Sequence, residues 1–73
     1  MKWTATIRLK SAIYITVDNL ISIDKKNIND KSIEKITDFK SFHLPKGILA
    51  FIGEKDLVTL NSNDIEFVQL SLN

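Results

Sequence analysis

A chain of 73 residues with ten basic and nine acidic side chains, net charge +1 and no cysteine describes one small domain, residues 1–73, without disulfides or thiolate zinc sites. The balanced charge argues against nucleic-acid binding by bulk electrostatics, and no apolar run approaches the ~20 residues a spanning helix needs. The single histidine, His43, excludes a histidine-based metal cluster within one chain, while 44% hydrophobic residues are ample for a core and argue against disorder.

The N-terminus, Met1-Lys2-Trp3-Thr4, alternates polar and apolar residues and lacks an unbroken apolar signal core, so a cytoplasmic location is expected. Trp3, Ala5, Ile7 and Leu9 then alternate with Thr4, Thr6, Arg8 and Lys10. Successive strand side chains point to opposite faces, so this pattern predicts a half-buried strand. A second alternation, Ile13, Ile15 and Val17 against Tyr14, Thr16 and Asp18, follows the break Lys10-Ser11-Ala12 and completes a β-hairpin. Asp18-Asn19 reads as a bend, after which Leu20, Ile21 and Ile23 form a third run that switches to the other side of a small barrel.

From Asp24 to Lys46 the composition changes to six lysines and four acids. Ile33, Ile36 and Phe39 recur at intervals of three, compatible with a short helix capped by Asn29, Asp30 or Ser32. Like-charged neighbours at i,i+4 (Asp30 and Glu34, Glu34 and Asp38, Lys31 and Lys35) oppose a helix. An irregular loop over residues 28–42 is therefore the competing expectation.

Pro45-Lys46-Gly47 is a turn that opens the clearest pattern in the chain, the meander from Pro45 to Leu72. Its three β-type runs, Ile48–Ile52, Leu57–Leu60 and Ile65–Leu72, are separated by Gly53-Glu54-Lys55-Asp56 and Asn61-Ser62-Asn63-Asp64. Ile48 to Ile52 is apolar on both faces, as expected of a central strand covered on both sides. In the last run Ile65 and Phe67 lie in one phase but Val68, Leu70 and Leu72 in the other, which marks a β-bulge.

The predicted fold is mainly β: a small barrel or strongly bent antiparallel sheet of about five strands with one short helix or ordered loop. The predicted core is Ile7, Leu9, Ile13, Ile15, Val17, Ile21, Ile48, Ala50, Ile52, Val58, Leu60, Ile65 and Val68.

Catalysis needs a nucleophile, a base or a metal in a pocket. Two glycines, no cysteine, and a lone His43 with no spacing that links it to a serine or carboxylate predict no enzyme, no cofactor and no metal site. What remains is recognition by surface complementarity. Tyr14, Lys25, Lys26, Lys31, Lys35, Phe39, Lys40 and Phe42 are the candidate surface, because interface hot spots favour aromatics within a polar rim. The competing reading places both phenylalanines in the core. Glu66, Val68, Gln69 and Leu70 lie on a last strand with little to blunt its edge, which predicts pairing with another chain or self-association. A weak nucleic-acid-binding barrel of OB-like or Sm-like kind is the alternative, carried by Trp3 and Tyr14 beside Lys2, Arg8 and Lys10. A small-molecule or nucleotide sponge is a third option.

Eleven isoleucines, nine lysines and six asparagines share AT-rich codons and point to an AT-rich genome. The hairpin Ile7-Arg8-Leu9-Lys10 with Ile13-Tyr14-Ile15-Thr16-Val17 resembles the opening of small β-barrel-like proteins encoded by phages and plasmids of low-GC Gram-positive bacteria. Phe51-Ile52-Gly53-Glu54-Lys55 and Leu60-Asn61-Ser62-Asn63-Asp64-Ile65 are similar to their closing hairpin. The resemblance spans about two-thirds of the chain, and Asp24 to Lys46 departs from it. It implies an accessory factor of a mobile element that binds a host or plasmid protein, and it assigns no functional residue.

Overall fold

The computed structural model describes residues 2–27, 29 and 31–73. Among these residues there are seven strands: β1 (Trp3–Leu9), β2 (Tyr14–Val17), β3 (Leu20–Lys26), β4 (Ile33–Ile36), β5 (Ile48–Gly53), β6 (Leu57–Asn61) and β7 (Ile65–Leu72). Two short 3-10 turns, Phe39–Ser41 and Ser62–Asp64, are the only helical segments among them. The strands form two antiparallel sheets, ordered β2-β1-β7 and β4-β3-β5-β6. The fold is mainly β, as the alternations predict, but the sheets do not close into a barrel.

The chain passes between the sheets at two corners. At the first, Asp18-Asn19 carries β2 into β3, with Asn19 at φ 51°. Asparagine tolerates this left-handed conformation better than most residues. At the second, the Asn61 side chain accepts a hydrogen bond from the Asn63 N–H at 2.9 Å, closing the turn that sends β6 into β7. Ser62 anchors that turn: its N–H donates to the Gly47 carbonyl at 2.8 Å, and its hydroxyl accepts from the Gly47 N–H at 2.9 Å. The Pro45–Leu72 segment is therefore a β5–β6 hairpin followed by a crossing. β7 pairs with β1, Ile7 opposite Val68, and not with β6 as a simple meander would have it.

The core lies between the sheets and consists of Ala5, Ile7, Val17, Leu20, Ile23, Phe39, Leu49, Phe51 and Ile65. Trp3 packs edge-on against Phe39, ring centroids 5.7 Å apart at 69°, within the range where aromatic pairs attract. In β5 the buried phase is Leu49 and Phe51, while Ile48, Ala50 and Ile52 face outward. This reverses the sequence expectation, because a run apolar on both faces carries no periodic signal to fix its phase. Ile13 and Ile21 are also exposed, at 57% and 50%. Ile13 belongs to the turn whose carbonyl accepts from the Leu9 N–H. Ile21 sits where the β3–β5 register shifts between Leu20 and Ser22.

Where a helix or loop was expected, Ile33–Ile36 is a short strand paired with β3, Ile36 opposite Ile23. Ile33 is exposed and Phe39 buried, so the three-residue spacing reflects a strand followed by a 3-10 turn. Expectations resting on Ile28 and Asp30 lie outside the described residues. The bulge expected in the last strand is present: Arg8 pairs with Phe67 and Leu9 with Ile65, leaving Glu66 as the extra residue.

Lys2, just before β1, forms an ion pair with Glu54 in the β5–β6 turn. Its ammonium, first by hydrogen bonding and then by charge, holds the Glu54 carboxyl below its ordinary value. A carboxyl with a depressed folded pKa stabilises the fold above the ordinary carboxylate range and loses that contribution as pH falls through the folded value. Glu54→Gln is therefore expected to lower stability slightly in the neutral region and to flatten the acid limb below about pH 4, the two proteins converging in acid. Urea melts across pH check this, and identical acid limbs for the two proteins would refute it. The pair is exposed, so its size is that of an ordinary surface ion pair.

Candidate functional site

The outward residues of the three-stranded sheet build one continuous face. Strand alternation sets Thr4, Thr6 and Arg8 of β1 between Tyr14 and Thr16 of β2 and Phe67, Gln69 and Ser71 of β7. Arg8 is the hub. Its Nη1 donates to the Tyr14 hydroxyl at 2.9 Å, and its guanidinium carbon lies 5.3 Å from the Tyr14 ring centroid, within cation–π range. Tyr14 and Phe67 meet edge to face, 6.4 Å apart at 70°. The Glu66 carboxylate lies 3.3 Å from Arg8 Nε. That distance makes an ion pair, but the buried Nε–H finds no hydrogen-bond acceptor. Tyr14 first, and then Glu66, hold the Arg8 guanidinium more firmly protonated than usual, so the hub is cationic at every accessible pH.

The sequence leads to this cluster locally. Arg8, Tyr14 and Phe67 occupy polar-phase positions of their strands, and the Glu66 bulge shifts Phe67 to the outer face. Tyr14 is 55% and Phe67 40% exposed. Apart from Asp18 at its far end, the rest of the face carries short, neutral side chains. Thr4 donates to Asp18 Oδ1 at 3.5 Å and accepts from Asn73 Nδ2 at 2.8 Å, which orders the far end. Phe67 is not singled out from the sequence, and Arg8 enters there only as a basic neighbour of Tyr14 in the nucleic-acid alternative. The change of phase after Ile65 was the signal that could have found Phe67.

The other sequence-derived candidates are dispersed. Lys26 and Lys35 lie on the outer face of the four-stranded sheet, where Lys35 pairs with Asp24. Lys25, opposite Glu34 and Leu49, is on the inner side of that sheet and half-buried. Lys31 is in the β3–β4 turn, its N–H donating to the Asn27 carbonyl at 3.1 Å. Lys40 is exposed in the 3-10 turn, Phe39 belongs to the core, and Phe42 packs partly buried against it. No single surface unites these residues with Tyr14, since the two outer faces belong to different sheets. β7 is an edge strand, paired only with β1. Val68 and Leu70 of β7 pack inward against the core, Gln69 points outward, and Glu66 is the bulge.

His43 lines a shallow cleft of about 310 Å³ with Glu34, Ile36, Asp38, Ser41, Phe42 and Pro45. Among the described residues no group of three histidine, cysteine, aspartate or glutamate side chains is placed to hold a metal ion, and no helix is long and apolar enough to cross a membrane. Comparisons with protein-family models, with curated proteins and with solved structures find no match for this chain.

Proposed function

We propose that this protein is a non-catalytic interaction module that binds a protein partner through the outer face of its three-stranded sheet, with Tyr14, Arg8 and Phe67 as anchors. The observation that carries the reading is two exposed aromatic rings in edge-to-face contact, one of them braced by an arginine, on one sheet face. Tyrosine and arginine are the residues over which binding energy concentrates, and neutral polar surroundings such as Thr6, Thr16 and Gln69 form the usual rim. Because Arg8 already contacts both Tyr14 and Glu66, the cluster is pre-organised and loses little side-chain freedom on binding. The isoleucine, lysine and asparagine bias and the resemblance of the hairpins support an accessory factor of a phage or plasmid acting on a host or plasmid protein.

A second reading draws on the same rings. Exposed aromatics beside an arginine on a small sheet also stack bases of single strands. Charge favours the protein reading: Glu66 and Asp18 share the face, and the Arg8 charge is already committed to Glu66.

Tyr14→Ala and Phe67→Ala are each expected to weaken partner binding by about 2 kcal/mol, roughly thirtyfold, with little change in thermal stability. Affinity capture from a low-GC Gram-positive lysate with wild type and both variants in parallel tests this. A protein retained equally by all three refutes the assigned surface. Binding of single-stranded oligonucleotides that weakens steeply with salt moves the assignment to the second reading.

A further inference from the structure

The three-stranded sheet ends in β7, and two hydrogen bonds fix where the free backbone groups of that strand point. Asn73 N–H donates to the Lys2 carbonyl at 2.7 Å, and Leu9 N–H donates to the Ile13 carbonyl at 2.9 Å. Successive pairs of an antiparallel ladder alternate between bonded and unbonded. Counted from either end, with Thr4 opposite Ser71 and Thr6 opposite Gln69, the alternation gives the same result. Phe67, Gln69 and Ser71 bond to β1, while Val68, Leu70 and Leu72 turn their N–H and C=O groups away from it. β7 has no partner strand on that side. Among the described residues no turn or loop backbone group bonds Val68, Leu70 or Leu72 either.

Side chains do not blunt this edge. Lysine, proline and other charged or kinking residues deter pairing at natural edges, and β4 carries Glu34 and Lys35. From Phe67 to Leu72 there is none. The inward row of the strand is also incompletely covered: Val68 and Leu70 are half-buried and Leu72 is 44% exposed.

We infer that a second copy of this chain pairs with that edge, β7 against β7 and antiparallel, about a two-fold axis perpendicular to the sheet between the two Leu70 residues. The sequence of the strand selects this occupant. Centred there, Val68 stands opposite Leu72 and Leu70 opposite its counterpart, so every outward-turned group of one copy meets one of the other. The pairing makes about six backbone hydrogen bonds, two for each such pair. Centring on Val68 or Gln69 instead sets Leu72 against Asp64 or the Glu66 bulge. The side chains agree with the Leu70 centring. On the inner face valine and leucine meet leucine; on the outer face Gln69 meets Ser71 and Phe67 meets Asn73. No charged side chain lies in the paired run. An isologous interface requires this kind of reciprocal matching.

The contact covers roughly 20 Å of edge, less than a permanent dimer needs. Main-chain bonds rather than area hold it and fix its register, so it is weak, reversible and populated at high micromolar concentration. It uses the edge of the sheet and not its face, so it stands independently of the partner-binding assignment.

Sedimentation equilibrium up to high micromolar concentration, paired with amide hydrogen exchange at low and high concentration, tests the pairing. The expected result is reversible dimerisation in which the Val68, Leu70 and Leu72 amides exchange fast when dilute and slow as the dimer fills. Phe67, Gln69 and Ser71 stay protected throughout. Leu72→Pro removes an N–H that bonds nothing within one copy, and should weaken association about tenfold or more with the β1 ladder intact. Gln69→Lys, at an exposed position beside the axis, should weaken it severalfold at low salt, whereas Tyr14→Ala leaves it unchanged. A strict monomer at high micromolar concentration overturns the inference. So does exchange at Val68, Leu70 and Leu72 that ignores concentration, protection that builds on β2, β4 or β6 instead, or wild-type association by either Leu72→Pro or Gln69→Lys.

Discussion

Phe51→Ala is expected to lower the unfolding free energy by about 3–5 kcal/mol, the usual cost of deleting a buried aromatic ring. Phe51 has no exposed surface and is the largest fully buried side chain of the domain. It sits at the middle of β5, opposite Ile23 on one side and Val58 on the other, so no neighbouring loop can collapse into the space it leaves. A domain of this size typically holds no more than about 3–5 kcal/mol in total, so the variant should be largely unfolded in water. Urea titration followed by the fluorescence of Trp3, which rests edge-on against core residue Phe39, measures the loss. Ile21→Ala is the matched control, half-exposed in the adjacent strand, and its cost should stay below about 1 kcal/mol. Comparable losses in both variants would mean that the inner and outer faces of the four-stranded sheet have been assigned wrongly.

That assignment is the point at which reading the sequence and seeing the fold diverge. The Trp3–Leu9 and Tyr14–Val17 alternations are legible because one face of each strand is polar, and Ile7 and Val17 fall in the core as the period-two pattern requires. The Glu66 bulge is legible because it changes the phase of the last strand. In Ile48–Ile52 every residue is apolar, so the pattern is silent about which half faces inward. The register with β3 decides for Leu49 and Phe51. Ile33–Ile36 was obscured for another reason: a four-residue edge strand is too short to show its period. The buried Phe39 of the following 3-10 turn supplied a coincidental third member of a helical stripe. The proposed recognition surface is half legible in the sequence. Tyr14 stands out as an aromatic in a polar phase, whereas its union with Arg8 and Phe67 depends on β7 crossing to pair with β1. Residues 8 and 67 become neighbours only through that long-range pairing. Local sequence carries no trace of which strands will lie side by side.

The same crossing architecture makes Gly53 the second sensitive position. Exchanging glycine for alanine in a conformation open to both stabilises a protein by about 0.4–1 kcal/mol, because the unfolded chain loses freedom. At Gly53 the packing term opposes this and is larger. A Cβ there would lie 2.6 Å from the Asp18 carbonyl oxygen and 2.8 Å from Val17 Cγ1, well inside van der Waals contact. The first is backbone and the second belongs to a side chain with no exposed surface, so neither can swing aside. Relief requires the β2–β3 corner to move away from the end of β5. That motion strains the hydrogen bond that spans the junction, from Glu54 N–H to the Asn19 carbonyl at 3.1 Å. Overpacking of this kind costs about 1–3 kcal/mol, so Gly53→Ala should lower the melting temperature by roughly 4–8 °C for each kcal/mol lost in a domain of this size. The effect should also reach function. Tyr14 is three residues before Val17 on the same short strand, and a displaced corner shifts β2 relative to Arg8. Gly53→Ala should therefore perturb the amides of Val17, Asp18 and Asn19 and weaken partner capture, even at temperatures where the variant stays folded. Leu57→Lys, on the far face of the other sheet, should leave capture untouched. A Gly53→Ala variant as stable as wild type would show that the two sheets can separate at this corner without cost, and Tyr14 would then owe its placement to β1 alone.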